Sequence, residues 1–207
     1  MNNMEVIQGV TDSHIKLLIE RFQLKIKSYN KQELIANSSN DPNMIGIMIS
    51  GMAYLTTINL DYQKRILDYY EANDIFLNST MLSLWNTSCG IYAKTRCAVI
   101  FLDYRELLAD NSDALMHIQK EILVNSTKKT VQHIEILSQL TLRNKLISYF
   151  DFCKRKYNAS SFVLPLSFSD LAEYLAVDRS AMMREIGRMK EENIIHTTRR
   201  NITLFER

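Results

Sequence analysis

Residues 165–205 read PLSFSDLAEYLAVDRSAMMREIGRMKEENIIHTTRRNITLF, and this stretch decides the fold. Ser167, followed three residues on by Asp170, makes a capping box with Asp in place of Glu, so a helix opens there. That helix turns Leu171, Ala172 and Leu175 inward, with Ala172 small where a second helix must cross closely. Val177 plugs the turn, and Asp178 is an N-cap for the next helix, Arg179 to about Glu192. Met182, Ile186 and Met189 recur at i, i+4 and i+7 and face the core, while Arg179, Ser180, Met183, Arg184 and Arg188 take the other face. Two short helices joined by a tight turn form a helix-turn-helix. Beyond it, Ile194 to Thr197 and Ile202 to Phe205 alternate around Thr198-Arg199-Arg200-Asn201, which predicts a β-hairpin wing with two arginines at its tip. From Arg179 to Arg200 there are six Lys and Arg against three Glu, a balance that suits a polyanion.

Outward from this stretch the charge falls away. Residues 141–207 hold 12 Lys and Arg against 8 Asp and Glu, and residues 1–140 hold 13 against 15. The basic excess therefore sits in the last third, although the whole chain of 207 residues carries a net charge of only +2. Upstream, Tyr104 to Lys156 contains neither Gly nor Pro. Leu115, Ile118, Ile122, Val131, Ile134, Ile136, Leu137 and Leu140 recur there at helical spacing, interrupted by the polar run Asn125 to Thr130. A helix of this length exceeds what one small domain needs, and its apolar stripe with a polar interruption reads as a dimer seam. Leu142 to Lys156 reads as a second amphipathic helix, ended by the loop Tyr157 to Ser161.

Between Gln23 and Leu102 the period changes to that of strands. Leu24 to Tyr29, Met44 to Ile49, Ala53 to Ile58, Arg65 to Tyr70, Gly90 to Lys94 and Ala98 to Leu102 are separated by polar turns at Asn30 to Glu33, Ser50-Gly51, Asp61 to Lys64 and Glu71 to Asp74. Such spacing predicts an antiparallel sandwich or roll, preceded by a short helix near Thr11 to Ile19. Hydrophobic residues at 46% and charged residues at 23% describe a folded protein and exclude disorder as its main state. No apolar run reaches the roughly 20 residues of a membrane span, and the N-terminus lacks a basic start before an apolar core, so a cytoplasmic location and no membrane partner are expected. Cys89, Cys97 and Cys153 are widely spaced and make no CxxC pair, which excludes a cysteine-only zinc or iron–sulfur site and reads as buried thiols. No catalytic signature, metal ligand set or cofactor is expected; a hydrolase built on Cys89 or Cys97 finds no partner motif.

The last forty residues resemble the winged helix of Crp/Fnr-type transcription regulators, whose pattern is filled by Leu166, Ser167, Asp170, Leu171, Ala172, Leu175, Val177, Arg179, Arg184, Ile186, Met189, Ile194 and Ile195. The likeness extends over nearly the whole chain, with the roll's turns at Lys31-Gln32, Ser50-Gly51 and Asn73-Asp74, and with Ala93 to Cys97 and Tyr104 to Leu107 leading into the long helix. It implies an α+β fold: an N-terminal β-roll sensor (1–110), a dimerisation helix (111–140) and a C-terminal winged helix-turn-helix (141–207). It also implies that Arg179, Ser180 and Arg184 read bases, that Ser167, Arg188, Arg199 and Arg200 hold phosphate, and that RNA polymerase touches the 157–161 loop. The implied effector pocket is walled by Asn78, Trp85, Thr87 and Ser88 of the roll with Lys129 and Thr130 of the long helix.

The departures are informative. Where cyclic-nucleotide-binding members carry Gly-Glu and Arg-Ser, this chain has Leu77-Asn78 and Thr87-Ser88. Without the cation a buried phosphate is costly, so cyclic AMP is not the expected effector. The N-terminus lacks the cysteine cluster of iron–sulfur members, and no His between His14 and His117 offers a haem ligand. The expectation is a homodimeric regulator of double-stranded DNA, bound at an inverted repeat and sensing an unknown small molecule that is not a cyclic nucleotide. The alternatives are a ligand-independent regulator with a vestigial pocket and a winged-helix adaptor that binds proteins.

Overall fold

The computed structural model describes residues 11–37, 43–58, 64–77, 89–110 and 112–205. The chain divides into two compact units, one spanning Gln8–Thr127 and the other built on Lys128–Arg207.

In the first unit, helix α1 (Asp12–Phe22) is capped by Thr11, whose hydroxyl accepts the His14 amide at 3.3 Å, and ends at Gln23 in the left-handed region. Among the described residues eight strands follow: β1 (Ile26–Tyr29), β2 (Leu34–Asn37), β3 (Met44–Ser50), β4 (Ala53–Ile58), β5 (Lys64–Tyr70), β6 (Ile75–Leu77), β7 (Gly90–Ala93) and β8 (Cys97–Asp103). They build two four-stranded antiparallel sheets, ordered β1-β8-β3-β6 and β2-β7-β4-β5. The expected turns near Gln32, Gly51 and Asn73 are present, and the one at Asp61 to Lys64 lies largely outside the described residues. Gln32 and Asn73 take positive φ, and so does Gly51, where an added Cβ would run into the Arg96 carbonyl oxygen.

Alternate residues of β3 and β8 serve two different cores. Met48, Cys97 and Val99 pack with Ile35, Phe76 and Ile91 of the strands. Ile45, Ile47, Ile100 and Leu102 instead meet the helices, through Ile15 and Leu18 of α1 and Leu115, Ile118 and Ile122 further on. A strand buried on both faces reads as a continuous apolar run, which is why Met44 to Ile49 shows no clean alternation. Gly46 lies under the Phe76 ring, where any side chain would collide with it.

Three short strands escape the sequence reading: β2, β6 and β9 (Ser161–Val163). The first helical segment also differs. Tyr104–Ala109 forms a separate helix, α2, capped by Asp103, and α3 runs from Asp113 to Leu137. Gln119 donates to the Leu107 carbonyl at 2.6 Å and ties the start of α3 to α2. The helix ends before Leu140, which is fully exposed instead of continuing the stripe. Along α3 the apolar residues divide: Leu115, Ile118, Ile122 and Ile136 are buried, whereas Met116, Leu123, Val124, Val131 and Ile134 are exposed.

The second unit continues from Lys128 through α4 (Leu142–Tyr157), β9, α5 (Phe168–Tyr174), α6 (Arg179–Glu191) and the hairpin β10 (Ile195–Thr198) and β11 (Asn201–Leu204). Its core gathers Leu146, Tyr149, Phe150, Leu171, Met182 and Ile186. The wing is a three-stranded sheet, β10-β11-β9, because Ser161 to Val163 pairs with Thr203 to Asn201. The expected loop after α4 is thereby cut short. Asn158 caps that helix in the left-handed region, and Ser161 already belongs to β9.

Candidate nucleic-acid interface

The two short helices take the predicted places. Ser167 caps α5, its hydroxyl accepting the Asp170 amide at 3.2 Å and donating to the Asp170 carboxylate at 2.6 Å. Leu171, Ala172, Tyr174 and Leu175 are buried. The turn closes as a Schellman motif: the Val177 amide donates to the Ala172 carbonyl at 3.0 Å, and Ala176 stands in the left-handed region. Val177 itself is half-buried. Asp178 caps α6 by accepting the Ala181 amide at 2.7 Å. Met182, Ile186 and Met189 are buried, which leaves Arg179, Ser180, Met183, Arg184 and Arg188 on the outer face.

Glu185 of α6 and Glu192, which caps its C-terminus, are both held by α4. Arg143 of α4 donates to Glu185 at 2.5 Å and, as a two-pronged pair, to Glu192 at 2.6 and 2.8 Å. These bonds raise the Arg143 pKa further, Glu192 first and Glu185 second. Arg188 also meets Glu185, at 3.3 Å. No acidic group among the described residues lies against Arg179, Arg184 or Arg199. The first half of α6 therefore presents uncompensated positive charge at a helix N-terminus, which itself favours anions. This clamp is invisible to sequence reading, since Arg143 lies 42 residues from Glu185 and 49 from Glu192.

At the wing tip Thr198 pairs with Asn201 across the two-residue loop Arg199-Arg200. Arg199 is exposed and takes φ 54°. Arg200 is exposed as well and reaches the Pro165 carbonyl at 3.4 Å, beside the start of α5. His196, on β10, is an exposed strand residue in contact with the Thr198 hydroxyl at 3.2 Å. Ser167, expected to hold phosphate, has its hydroxyl engaged in the cap.

Comparison with known proteins agrees with this geometry. Residues 134–207 match the Crp-like helix-turn-helix domain. The chain is also 20% identical over 185 residues to the regulatory protein HlyX of Actinobacillus pleuropneumoniae, across 86% of this chain and 77% of that one. Its last third is thus a Crp-like helix-turn-helix domain. The fold is shared with FixK2 of Bradyrhizobium japonicum at a TM-score of 0.70 and 18% identity, covering 89% of this chain and 93% of that one. It is shared too with a CooA variant of Carboxydothermus hydrogenoformans at a TM-score of 0.72 and 15% identity, covering 97% and 94%.

Cys89, Cys97 and Cys153 are all buried, and burial pushes the Cys97 thiol up despite its bonds to the Met52 and Thr95 carbonyls. Among the described residues no helix is long and apolar enough to cross a membrane. Of the expected effector-pocket residues, Asn78, Trp85, Thr87 and Ser88 lie outside the described residues, while Lys129 is half-buried and Thr130 exposed on α3.

Proposed function

We propose that the protein is a homodimeric, sequence-specific DNA-binding regulator that reads bases with α6 and holds phosphate with the wing. The observation that carries this reading is the first turn and a half of α6, where Arg179, Ser180 and Arg184 stand exposed while Arg143 holds Glu185 and Glu192. An arginine can donate two bonds to guanine, so Arg179 and Arg184 are the base-reading pair with Ser180 between them. Arg188, Arg199, Arg200 and the amides at the Ser167 cap bind phosphate, which positions the protein without reading sequence.

The second copy is called for by α3. Met116 and Leu123 are seven residues apart and exposed, as are Val124 and Val131, and an exposed apolar stripe that recurs every two turns supports a helix-to-helix seam. A two-fold pair of winged helices would bind an inverted repeat with half-sites one DNA turn apart, about 34–36 Å. The effector is a small molecule other than a cyclic nucleotide. The segment 157–161 is the surface offered to RNA polymerase in the cytoplasm.

The test is selection of bound fragments from random DNA by the purified protein, with and without metabolite extract. Recovery of an inverted repeat, bound by a species of doubled mass, supports the reading. Recovery of no preferred sequence, with binding that ignores salt, favours a protein-binding adaptor and contradicts it.

A further inference from the structure

We propose that His14, His117 and Glu121 form a binding site for one divalent transition-metal ion, which would clip α1 to α3 within the first unit. The three residues come from opposite ends of that unit's sequence and converge: one ligand atom from each lies within 4.8 Å of the others. The His14 Nδ1 stands 3.0 Å from one carboxylate oxygen of Glu121, and the His117 Nδ1 stands 3.5 Å from the other. A tetrahedral ion with bonds of about 2.0–2.1 Å holds its ligand atoms about 3.3–3.4 Å apart, close to these two imidazole–carboxylate separations.

The placement follows from packing. Ile15 and Leu18 of α1 and Leu115, Ile118 and Ile122 of α3 share one apolar core, which sets the two helices side by side. His14 adjoins Ile15, and His117 and Glu121 sit four residues apart on α3, the spacing that aligns two side chains on one helical face. Thr11 fixes the His14 backbone through the N-cap bond, and the Arg21–Asp110 ion pair at 2.8 Å holds the far end of α1.

The pair at the centre is poorly served without a cation. The His14 Nδ1 and the facing Glu121 oxygen are buried atoms, yet despite their 3.0 Å approach neither has a hydrogen bond of acceptable geometry. Two buried lone-pair atoms this close together suit a shared metal ion, and buried polar atoms left unpaired are otherwise costly. Two imidazoles and one carboxylate suit zinc, nickel, copper or iron over calcium or magnesium. Three protein ligands also leave a fourth position open for water or another ligand. The widely spaced cysteines that exclude a thiolate site have no bearing on this one.

The experiment uses the full chain, stripped with chelator and titrated with Co²⁺ alone by absorption and with Zn²⁺ alone by calorimetry. His117→Asn is the key variant, because His117 is largely exposed and its loss leaves the core intact; Glu121→Gln is the second. The expected result is one ion per chain, with cobalt d–d bands and no sulfur-to-cobalt charge transfer. Affinity should fall by more than about 100-fold in both variants, exceeding the effect of outer-shell changes. Zn²⁺ should raise the melting temperature of the parent and not of His117→Asn. Absence of saturable binding, a thiolate band, or affinity unchanged in a folded His117→Asn protein would overturn the proposal.

Discussion

Two substitutions five residues apart on α3 separate the face that builds the first unit from the face offered to a second copy. Ile118 is fully buried among Leu18, Ile45, Ile100 and Leu102. Ile118→Ala should cost about 2–5 kcal/mol. At roughly 2.1 cal/mol/K per residue, a unit of about 120 residues has an unfolding entropy near 0.25 kcal/mol/K, so its melting temperature should fall by about 8–20 °C. Leu123 remains 61% exposed in the single chain. Full burial of a leucine is worth about 1.5–3 kcal/mol, so the part still available at a seam is about 1–2 kcal/mol per protomer. A symmetric pair doubles this to about 2–4 kcal/mol, a weakening of the dimer by roughly 30- to 700-fold on Leu123→Ala. Sedimentation equilibrium across a concentration series measures the second effect, and thermal melts measured well above the dimer dissociation constant measure the first. A Leu123→Ala protein with unchanged dimer affinity would refute the seam. An Ile118→Ala protein melting within about 2 °C of the parent would refute the placement of the core face.

Other perturbations probe single features. Gly187 lies within α6 with open space where a Cβ would go, so Gly187→Ala should stabilise the second unit by about 0.5–1 kcal/mol in a denaturant titration. Arg199 holds positive φ at the wing tip, so Arg199→Gly should leave stability equal or higher by up to about 1 kcal/mol while weakening DNA binding on every sequence. Asp110 is held below the usual carboxylate range, by the Ser112 amide first and the Arg21 guanidinium next. A depressed folded value adds stability that is present above the unfolded pKa, near 4, and is lost as pH falls through the folded value. Asp110→Asn should therefore melt below the parent at neutral pH, and the gap should close toward pH 2.

The winged helix was legible because its signals are local. Ser167 and Asp178 cap within three residues, and the apolar periods of α5 and α6 complete themselves inside forty residues. The missed strands fail for the opposite reason. β2 has four residues and pairs with β7 more than fifty positions away, and β9 has three and gains its partner only when β11 folds back. Short segments carry little periodicity of their own, and long-range pairing decides them. The same distance hides the polar constellations. His14 and Glu121 stand 107 positions apart, and only the i, i+4 pair of His117 and Glu121 could have been noticed. Arg143 reads as one more basic residue of an amphipathic helix until α4 is seen beside α6. The break between α2 and α3 lies at Asp110 to Ser112, in a segment without Gly or Pro, where the Asp110 side chain turns back to the Ser112 amide at 3.0 Å. That is an Asx-type turn, a weaker punctuation than either absent residue.

The central claim, that α6 reads bases while the wing holds phosphate, is tested most directly by titrating Arg184→Ala and Arg200→Ala. Both are measured on the selected operator and its single-base variants, at several salt concentrations. Arg184→Ala should weaken the operator by up to about 100-fold and flatten preference at one base pair per half-site. Arg200→Ala should weaken all sequences alike and lower the salt slope by roughly one unit for each phosphate it no longer neutralises. An equal loss on every sequence for Arg184→Ala would contradict the account, because that side chain would then be holding phosphate.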